Sequence, residues 1–307
     1  MNIPKYVVVI VLALITAGAV VFSIFGFSGD NDHNRAEYER MRNEDYRIYT
    51  IPVPENLEFA GEKVPLDNPD VWERVDREFL VNTYWHSNAF LWMKRANRWF
   101  PVIEPILKKN GIPDDFKYLA LVESNFTNAV SPSGAVGFWQ FLEETGKRYG
   151  LEINDEVDER YNIERSTEAA CGYFQEAYAR FGEWSLVAGS YNMGINGIQQ
   201  QMNTQQQNRY WDLLLNEETS RYVCRILAAK TILNNADQYG FVIRPSDLYQ
   251  PYSYDVETIS GPIEDFAAFA VEHSITYKEL KMLNPWLRQP YLKNRQGRSY
   301  EIKIIRN

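Results

Sequence analysis

The spacing of hydrophobic positions changes along the chain. Tyr6 to Phe27 form an apolar run without a charged residue. A polar stretch with several prolines follows up to about residue 68, and its composition predicts little regular structure. From Pro69 onwards, apolar residues recur at the three- and four-residue spacing of amphipathic helices, which predicts a helical lobe.

This lobe is predicted to contain helices alone, because residues 69–245 show no strand-like alternation. Asn68 and Pro69 form a typical N-cap and first turn, after which Trp72, Val75 and Phe79 share one face. Further helices are predicted at about 87–110, 113–125, 138–149, 166–181, 184–192, 194–202 and 217–239.

A different pattern begins after Pro251. DVETISG and SYEIKII have the composition of strands and flank two helical stretches, PIEDFAAFAVEHS and TYKELKMLNPWL, which predicts a small α+β module. We therefore expect four parts, namely an anchor at residues 1–28, a tether at 29–68, the helical lobe at 69–248 and the module at 249–307.

The amino-terminal apolar run is long enough to cross a membrane, since about 20 apolar residues span a bilayer as a helix. Lys5 precedes the run, and Asp30 and Asp32 follow it. Because a positive flank tends to stay in the cytoplasm, we expect a single-pass anchor in the cell membrane with everything after Gly29 outside the cytoplasm. A cleaved secretory signal is the alternative, although its apolar core usually has about 7–15 residues.

Composition excludes some classes of function. Asp and Glu number 41 against 32 Lys and Arg, a formal charge of −9, so the chain is a poor candidate for binding nucleic acid. His33, His86 and His273 lie in separate segments, and no metal-binding spacing is present in the sequence. Cys171 and Cys224 could form a disulfide outside the cytoplasm or remain two buried thiols.

Glu123 is the most informative polar residue. It lies at helical spacing from Phe116, Leu119 and Ala120, on a helix that is apolar nearly all round. A carboxyl in such surroundings can stay protonated near neutral pH, as a general acid requires. Alternatively, it reaches solvent at the helix end or pairs with an arginine, and the periodicity leaves both alternatives open.

Two glycine-containing segments follow this helix. NAVSPSGAVGFWQF combines a Ser-Pro turn and two glycines with Phe-Trp-Gln, so its backbone could approach a ligand and present Gln140 to it. GSYNMG places Tyr191 and Asn192 between glycines. Taken alone, each segment could equally be an ordinary turn and a helix cap.

Together, ALVESNF, SPSGAVGFWQF, SYNMG and EETSRYV closely resemble, in order and spacing, the catalytic motifs of family 1 lytic transglycosylases. RYGL and VDERYNIERSTEAACGYF resemble a membrane-bound branch of that family, and the resemblance covers about residues 75–245. It implies a mainly α fold with a goose-lysozyme-like lobe.

The resemblance also implies roles for individual residues. Glu123 would be the single catalytic acid/base, and Tyr191 would support that carboxyl and the substrate. The other residues implied to line the glycan cleft or lie beside the site are Ser131, Gln140, Asn192 and Tyr222. Two departures from the family pattern are Ser190, a mild change, and Glu143 with Glu144, which replace a usual proline and add negative charge.

The implied reaction is non-hydrolytic cleavage of peptidoglycan between N-acetylmuramic acid and N-acetylglucosamine, giving 1,6-anhydro ends without a cofactor. Ordinary glycosidases use two carboxyls, and the motifs supply no second one. The rival functions are a lysozyme-type hydrolase, a non-catalytic wall-binding protein on the same fold and, further away, a membrane-tethered adaptor. Peptidoglycan strands and the inner membrane are the expected partners, and the sequence identifies no protein partner.

The chain is rich in aromatic residues, with 8 Trp, 20 Tyr and 16 Phe. The rings expected in or near the cleft, where they could pack against sugar faces, are Phe138, Trp139, Tyr149 and Tyr191. The tryptophans expected in the core are Trp72, Trp92 and Trp99.

The carboxy-terminal module resembles a LysM domain through its element order and the run YKELKMLNP, although GPIED replaces the usual Gly-Asp-Thr turn. Glycan binding and a stabilising cap on the lobe are both compatible with this pattern. In the segment VDER, at residues 157–160, we expect the acidic side chains to hold a loop through Arg160 rather than to bind calcium.

Overall fold

A computed structural model describes residues 50–306. Ile51–Asn307 form one compact unit. The predicted anchor and most of the predicted tether lie outside the described residues. Within residues 50–306, no helix combines the length and the apolar composition needed to cross a membrane.

The last part of the predicted tether differs from the expectation of little regular structure. It forms a short antiparallel hairpin of β1 (Glu58–Phe59) and β2 (Glu62–Lys63). Phe59 and Val64 are buried, and the Phe59 ring lies 5.3 Å from the ring of Phe116. These apolar residues give the hairpin a face that packs on the lobe, so the segment belongs to the lobe's core.

The lobe is helical, as predicted. Between residues 69 and 245, the described chain has helices, turns and isolated β-bridges only. The α-helices are α1 (Pro69–Tyr84), α2 (His86–Lys109), α3 (Phe116–Ser124), α4 (Glu143–Arg148), α5 (Ile163–Phe181), α6 (Trp184–Met193), α7 (Ile195–Gln205) and α8 (Glu217–Asn234). Short 3-10 helices lie at Glu159–Tyr161, Tyr210–Asp212, Ala236–Tyr239 and Pro245–Asp247.

Local chemistry explains most of these boundaries. The Asn68 side chain accepts a hydrogen bond from the backbone N–H of Asp70, and Pro69 occupies the first turn of α1, as predicted. The helix predicted from residue 138 begins only at Glu143. Gly137 and Gln140 have φ angles of 80° and 49°, which a right-handed helix does not accommodate.

Helices α3 and α8 pack against each other and against further helices of the lobe. Helix α3 packs against α2 and α8, and α8 also packs against α1 and α6. On α1 the buried face contains Val75 and Phe79, but the Trp72 side chain is 45% exposed, so its predicted core position was wrong. Trp92 is buried, as expected, and Trp99 is partly buried.

The carboxy-terminal module has the predicted order of elements. It consists of β3 (Tyr254–Ile259), α9 (Phe266–Glu272), α10 (Tyr277–Leu283) and β4 (Tyr300–Ile305). The strands pair antiparallel, with Tyr254 opposite Ile305 and Ile259 opposite Tyr300. The module has its own small core, which includes Val157 from the lobe.

Candidate active site

Glu123 lies in the last turn of α3, where the helix stops abruptly. Asn125 and Phe126 both adopt left-handed backbone angles, with φ of 53° and 51°. Asparagine tolerates this conformation, but it is uncommon for phenylalanine. The turn is held by Trp92, whose Nε1 donates to Asn125 Oδ1 at 2.6 Å, and by Arg95, whose Nη1 donates to the Asn125 carbonyl at 3.0 Å.

The Glu123 carboxyl is partly buried and receives a hydrogen bond from the Tyr222 hydroxyl on α8. Burial raises the pKa of Glu123 to about 7, because the charged form loses solvation. The Tyr222 hydrogen bond and the charge of Arg225 oppose this rise, whereas the charge of Glu218 adds to it. The carboxyl therefore exchanges its proton near neutral pH, as an acid/base catalyst must.

In the described part of the chain, Glu123 does not form the ion pair with an arginine that the sequence left open as an alternative. Arg225 faces Glu78 instead, with Nε 3.4 Å from Glu78 Oε2, and Arg221 Nη1 lies 3.3 Å from Glu78 Oε1. The Glu78 side chain is only 2% exposed. Its pairs with Arg221 and Arg225, which flank Tyr222 in the sequence, join α1 to α8. Within residues 50–306, Glu123 itself has no ion pair.

Residues 129–141, which we call the substrate loop, contain Ser131 and Gln140. Gln140 Nε2 donates to the carbonyls of Gly137 at 2.8 Å and Ala129 at 3.1 Å. Ser131 Oγ accepts from the backbone N–H of Ala135 at 2.9 Å. Both predicted cleft residues thus hold the loop's own conformation through these contacts.

The substrate loop is joined to the catalytic helix and to α6 through two of its carbonyls. Ser124 Oγ donates to the Phe138 carbonyl at 2.9 Å. Tyr191 Oη on α6 donates to the Trp139 carbonyl at 2.7 Å. The residue beside Glu123 and the tyrosine of the SYNMG segment therefore hold adjacent peptide groups of the same loop.

Tyr191 has a different contact from the one that the family resemblance implied. Its hydroxyl binds the loop, and Tyr222 is the tyrosine that donates to the Glu123 carboxyl. Tyr191 is nevertheless close enough that burial and the Glu123 charge raise its pKa well above 10, so its hydroxyl stays protonated. Asn192 Nδ2 donates to Glu218 Oε1 at 3.1 Å, and its Oδ1 accepts from Thr219 Oγ1 at 2.7 Å.

The rings expected to face a sugar divide into two groups. Trp139 is fully buried, with its Nε1 donating to Thr167 Oγ1 at 2.8 Å, and Phe138 is 6% exposed. The prediction that these two rings could pack against sugar faces was therefore wrong, because they belong to the core. Tyr149 and Tyr191 are partly buried, so each has some exposed surface.

Glu143 and Glu144, the departure from the family pattern, lie on the first turn of α4 and are exposed. Lys147 Nζ pairs with Glu143 Oε1 at 2.6 Å, and this hydrogen bond lowers the pKa of Glu143. Their charge therefore lies at the surface, and part of it is neutralised by Lys147.

Sequence reasoning missed Glu218, which lies one helical turn before Tyr222 and in the same motif, EETSRYV. It is exposed, and its charge reaches Glu123. The signal that could have revealed it is the spacing of four residues to Tyr222, which puts both side chains on one face of α8.

The remaining candidate chemistry is structural in character. Cys171 and Cys224 are buried free thiols, so the disulfide alternative is not formed, and burial raises the pKa of each thiol to about 12. Within the described part of the chain, no group of His, Cys, Asp and Glu side chains is arranged to hold a metal ion.

Comparison with known families agrees with this geometry. Residues 100–214 match the model of the transglycosylase SLT domain, and residues 255–306 match the soluble lytic transglycosylase C-terminal LysM-like domain. The chain therefore contains an SLT domain, with a lysozyme-like fold, followed by a LysM-like module.

Two curated relatives carry the name membrane-bound lytic murein transglycosylase D, one from Escherichia coli strain K12 and one from Escherichia coli O6:H1. Each is 28% identical to this chain over 235 residues, which cover 74% of the chain. The aligned residues span 50% of each relative, so the chain matches about half of their length.

Proposed function

We propose that this chain is a lytic transglycosylase that cleaves the β-1,4 bond between N-acetylmuramic acid and N-acetylglucosamine in peptidoglycan. The observation that carries the proposal is the Glu123 carboxyl, held by Tyr222, with a pKa raised by burial to about 7. The SLT match and the relatives named murein transglycosylases support the substrate class.

In the proposed reaction, protonated Glu123 gives its proton to the glycosidic oxygen as the bond to C1 of the muramoyl residue breaks. The 2-acetamido group of that residue stabilises the positive charge on C1. Glu123 then takes the proton of the C6 hydroxyl, whose oxygen bonds to C1 and closes the 1,6-anhydro ring. One carboxyl thus serves as acid and then as base, and no water is consumed.

The remaining predicted site residues have supporting roles in this proposal. Tyr222 orients the carboxyl and limits the rise of its pKa. Gln140 and Ser131 shape the loop on which the glycan lies. Tyr191 holds that loop through the Trp139 carbonyl, and Asn192 connects α6 to the first turn of α8.

Hydrolysis on the same fold is the second candidate, and Glu218 is the observation that favours it. A hydrolase needs a second carboxylate near the first, and the Glu218 charge acts on Glu123. Against this role, the Glu218 carboxylate is exposed and accepts a hydrogen bond from Asn192, which gives it a structural task.

Digestion of purified sacculi in water enriched in oxygen-18 tests the proposal. A transglycosylase produces anhydro ends without the heavy isotope, whereas a hydrolase adds one labelled oxygen at each new reducing end. Glu218→Gln should keep the anhydro product. A non-catalytic wall-binding protein would release no fragments at all, and labelled products would assign the chain to the hydrolases.

We also propose the membrane arrangement expected from the sequence, with residues 1–28 as an inner-membrane anchor and residues 29–307 in the periplasm. The relatives' printed name, membrane-bound, supports this arrangement. Separation of membranes from cells that express the full chain, followed by protease treatment of spheroplasts, tests it. Protein that stays in the soluble fraction, or resists protease in spheroplasts, would contradict it.

For the module at residues 249–307, we propose that it adds affinity for glycan, a role supported by its LysM-like match. The test compares binding of the full chain to sacculi with and without excess soluble chitooligosaccharide, using the Glu123→Gln protein, which should leave the sacculi undigested. Substitution of the module's exposed residues should lower the part of the binding that the chitooligosaccharide displaces. Binding and competition that both stay unchanged after this substitution would point to the lobe alone.

A further inference from the structure

Residues 154–160, which we call the bridging segment, join the lobe to the module through main-chain contacts. Val157 forms an antiparallel bridge with Leu287, and Asp158 N–H donates to the Trp286 carbonyl at 2.9 Å. Arg288 N–H donates to the Glu156 carbonyl at 2.8 Å. Because Val157 is 1% exposed and belongs to the module's core, the module and the bridging segment form one packed body.

The bridging segment ends at Arg160, whose guanidinium serves four oxygen acceptors. Nε and Nη2 donate to the two Asp158 oxygens at 2.9 and 2.7 Å. Nη1 donates to the carbonyls of Gly134 and Phe141, each at 3.3 Å. Asp158 and Arg160 are 7% and 8% exposed, so water does not replace these contacts.

Arg160 also touches the substrate loop with its backbone. A methyl group added at Gly137 would lie 2.1 Å from the Arg160 carbonyl oxygen, so the two backbones are in direct contact. Gly134, Gly137 and Phe141 all belong to the substrate loop, which contains Ser131 and Gln140. The contacts therefore run without a break from the module, through Asp158 and Arg160, to the loop.

We propose that Arg160 is a positioning residue through which the carboxy-terminal module holds the substrate loop in its glycan-binding conformation. The proposal rests on the proposed function for its kinetic readout. The module holds Asp158, Asp158 orients the guanidinium, and the guanidinium holds the two loop carbonyls. Glu123 is outside this path, because its hydrogen bond comes from Tyr222 on α8.

The geometry requires an arginine. A lysine ammonium is a single point charge and cannot reach both Asp158 oxygens and both loop carbonyls at once, whereas the planar fork of arginine can. Arg160→Lys keeps the charge beside Asp158 but releases Gly134 and Phe141. The matched control is Arg165→Lys, because the Arg165 side chain is half exposed, pairs with Glu159 at 3.1 Å and gives no hydrogen bond to the substrate loop.

The test measures cleavage of soluble, uncrosslinked glycan strands by the full chain. We expect Arg160→Lys to raise KM about 10- to 100-fold, the cost of a small misplacement of binding groups, with a smaller change in kcat. The pH dependence of kcat should stay as in the wild type, because Glu123 and Tyr222 are untouched. Arg165→Lys should match the wild type in both constants.

Hydrogen exchange provides a second readout that does not depend on activity. The N–H groups of Gly137 and Phe141, which bond within the loop, should exchange at least about tenfold faster in Arg160→Lys, with α8 unchanged. Asp158→Asn is the second variant in case Arg160→Lys does not fold. It keeps the backbone bond to the Trp286 carbonyl but removes the carboxylate that orients the guanidinium, so the same amides should exchange faster.

Unchanged KM together with unchanged loop exchange would overturn the proposal. Equal losses of kcat in Arg160→Lys and Arg165→Lys, at constant KM, would also overturn it, since they would reflect only a smaller folded fraction. If the wild type released no glycan fragments, the proposed function would fail, and loop exchange alone would still decide the role of Arg160.

Discussion

Tyr222→Phe is the substitution that tests the catalytic carboxyl most sharply. Tyr222 is 3% exposed, and its hydroxyl donates to Glu123 Oε1. The change removes one oxygen atom and leaves the buried ring in place. A hydrogen bond to a charged group contributes about 1.5–3 kcal/mol. The protonated carboxyl also accepts the Tyr222 hydrogen bond, so only part of this energy distinguishes the two protonation states of Glu123.

The difference between the two protonation states sets the size of the effect. The Tyr222 hydrogen bond favours the charged form of Glu123, so its loss raises the pKa of Glu123 further above about 7. If about half of the bond energy distinguishes the two forms, the rise is about one pKa unit. Since the proposed first step needs protonated Glu123, the alkaline limb of the rate profile should move from near pH 7 to near pH 8.

The assay is the pH dependence of anhydromuropeptide release from sacculi, together with kcat. We expect kcat to fall about 10- to 100-fold, because the carboxyl loses the group that orients it. The matched control is Tyr173→Phe, which removes a buried hydroxyl that donates to the Ser190 carbonyl at 2.5 Å instead. An alkaline limb that stays in place or moves to lower pH in Tyr222→Phe would show that the Tyr222 hydroxyl does not stabilise the charged form of Glu123.

Three further predictions concern stability. The folded-state pKa of Glu123 is raised from 4.5 to about 7, so ionisation of this carboxyl weakens the fold as the pH rises through this window. Glu123→Gln should therefore be more stable than the wild type by about 1–3 kcal/mol at pH 8, as measured by urea unfolding. This gain in stability should be absent below about pH 4.5. Gly137→Ala should lower the free energy of unfolding by about 3 kcal/mol or more, because the Gly137 φ is 80° and the new methyl group would collide with the Arg160 carbonyl. The control Gly150→Ala, at φ 86° with open space around it, should lower it by only about 1 kcal/mol. Trp139→Phe should lower the free energy of unfolding by about 1–3 kcal/mol while leaving KM for glycan within about twofold, because the Trp139 ring is buried in the core. A large rise in KM at normal stability would mean that the Trp139 ring contacts the glycan.

Much of the fold was predictable, because helical periodicity and capping are local properties of the sequence. The Asn68–Pro69 helix start and the strand, helix, helix, strand order of the module follow from such signals. The late start of α4 was not predictable from periodicity, since it depends on positive φ angles at Gly137 and Gln140. The β1–β2 hairpin was missed because its core contacts are with Phe116, far away in the sequence.

The candidate site was predictable residue by residue, but its connections were not. The apolar face of α3 singled out Glu123, because a carboxyl among apolar positions is costly without a partner. Which tyrosine donates to it depends on how α8 packs against α3 and α6, and the structure gives this contact to Tyr222 and gives Tyr191 the Trp139 carbonyl. A tryptophan in a glycine-rich loop similarly gives no sign of whether its ring faces solvent or core, and Trp139 faces the core.

In the proposed reaction one carboxyl, that of Glu123, performs both proton transfers. The most direct test compares wild type and Glu123→Gln on purified sacculi, with the fragments counted and their ends identified by mass spectrometry. We expect 1,6-anhydro ends from the wild type and a rate at least about 100-fold lower from the variant, the usual contribution of a general acid–base group. Anhydro ends released by Glu123→Gln at a rate near that of the wild type would contradict this expectation.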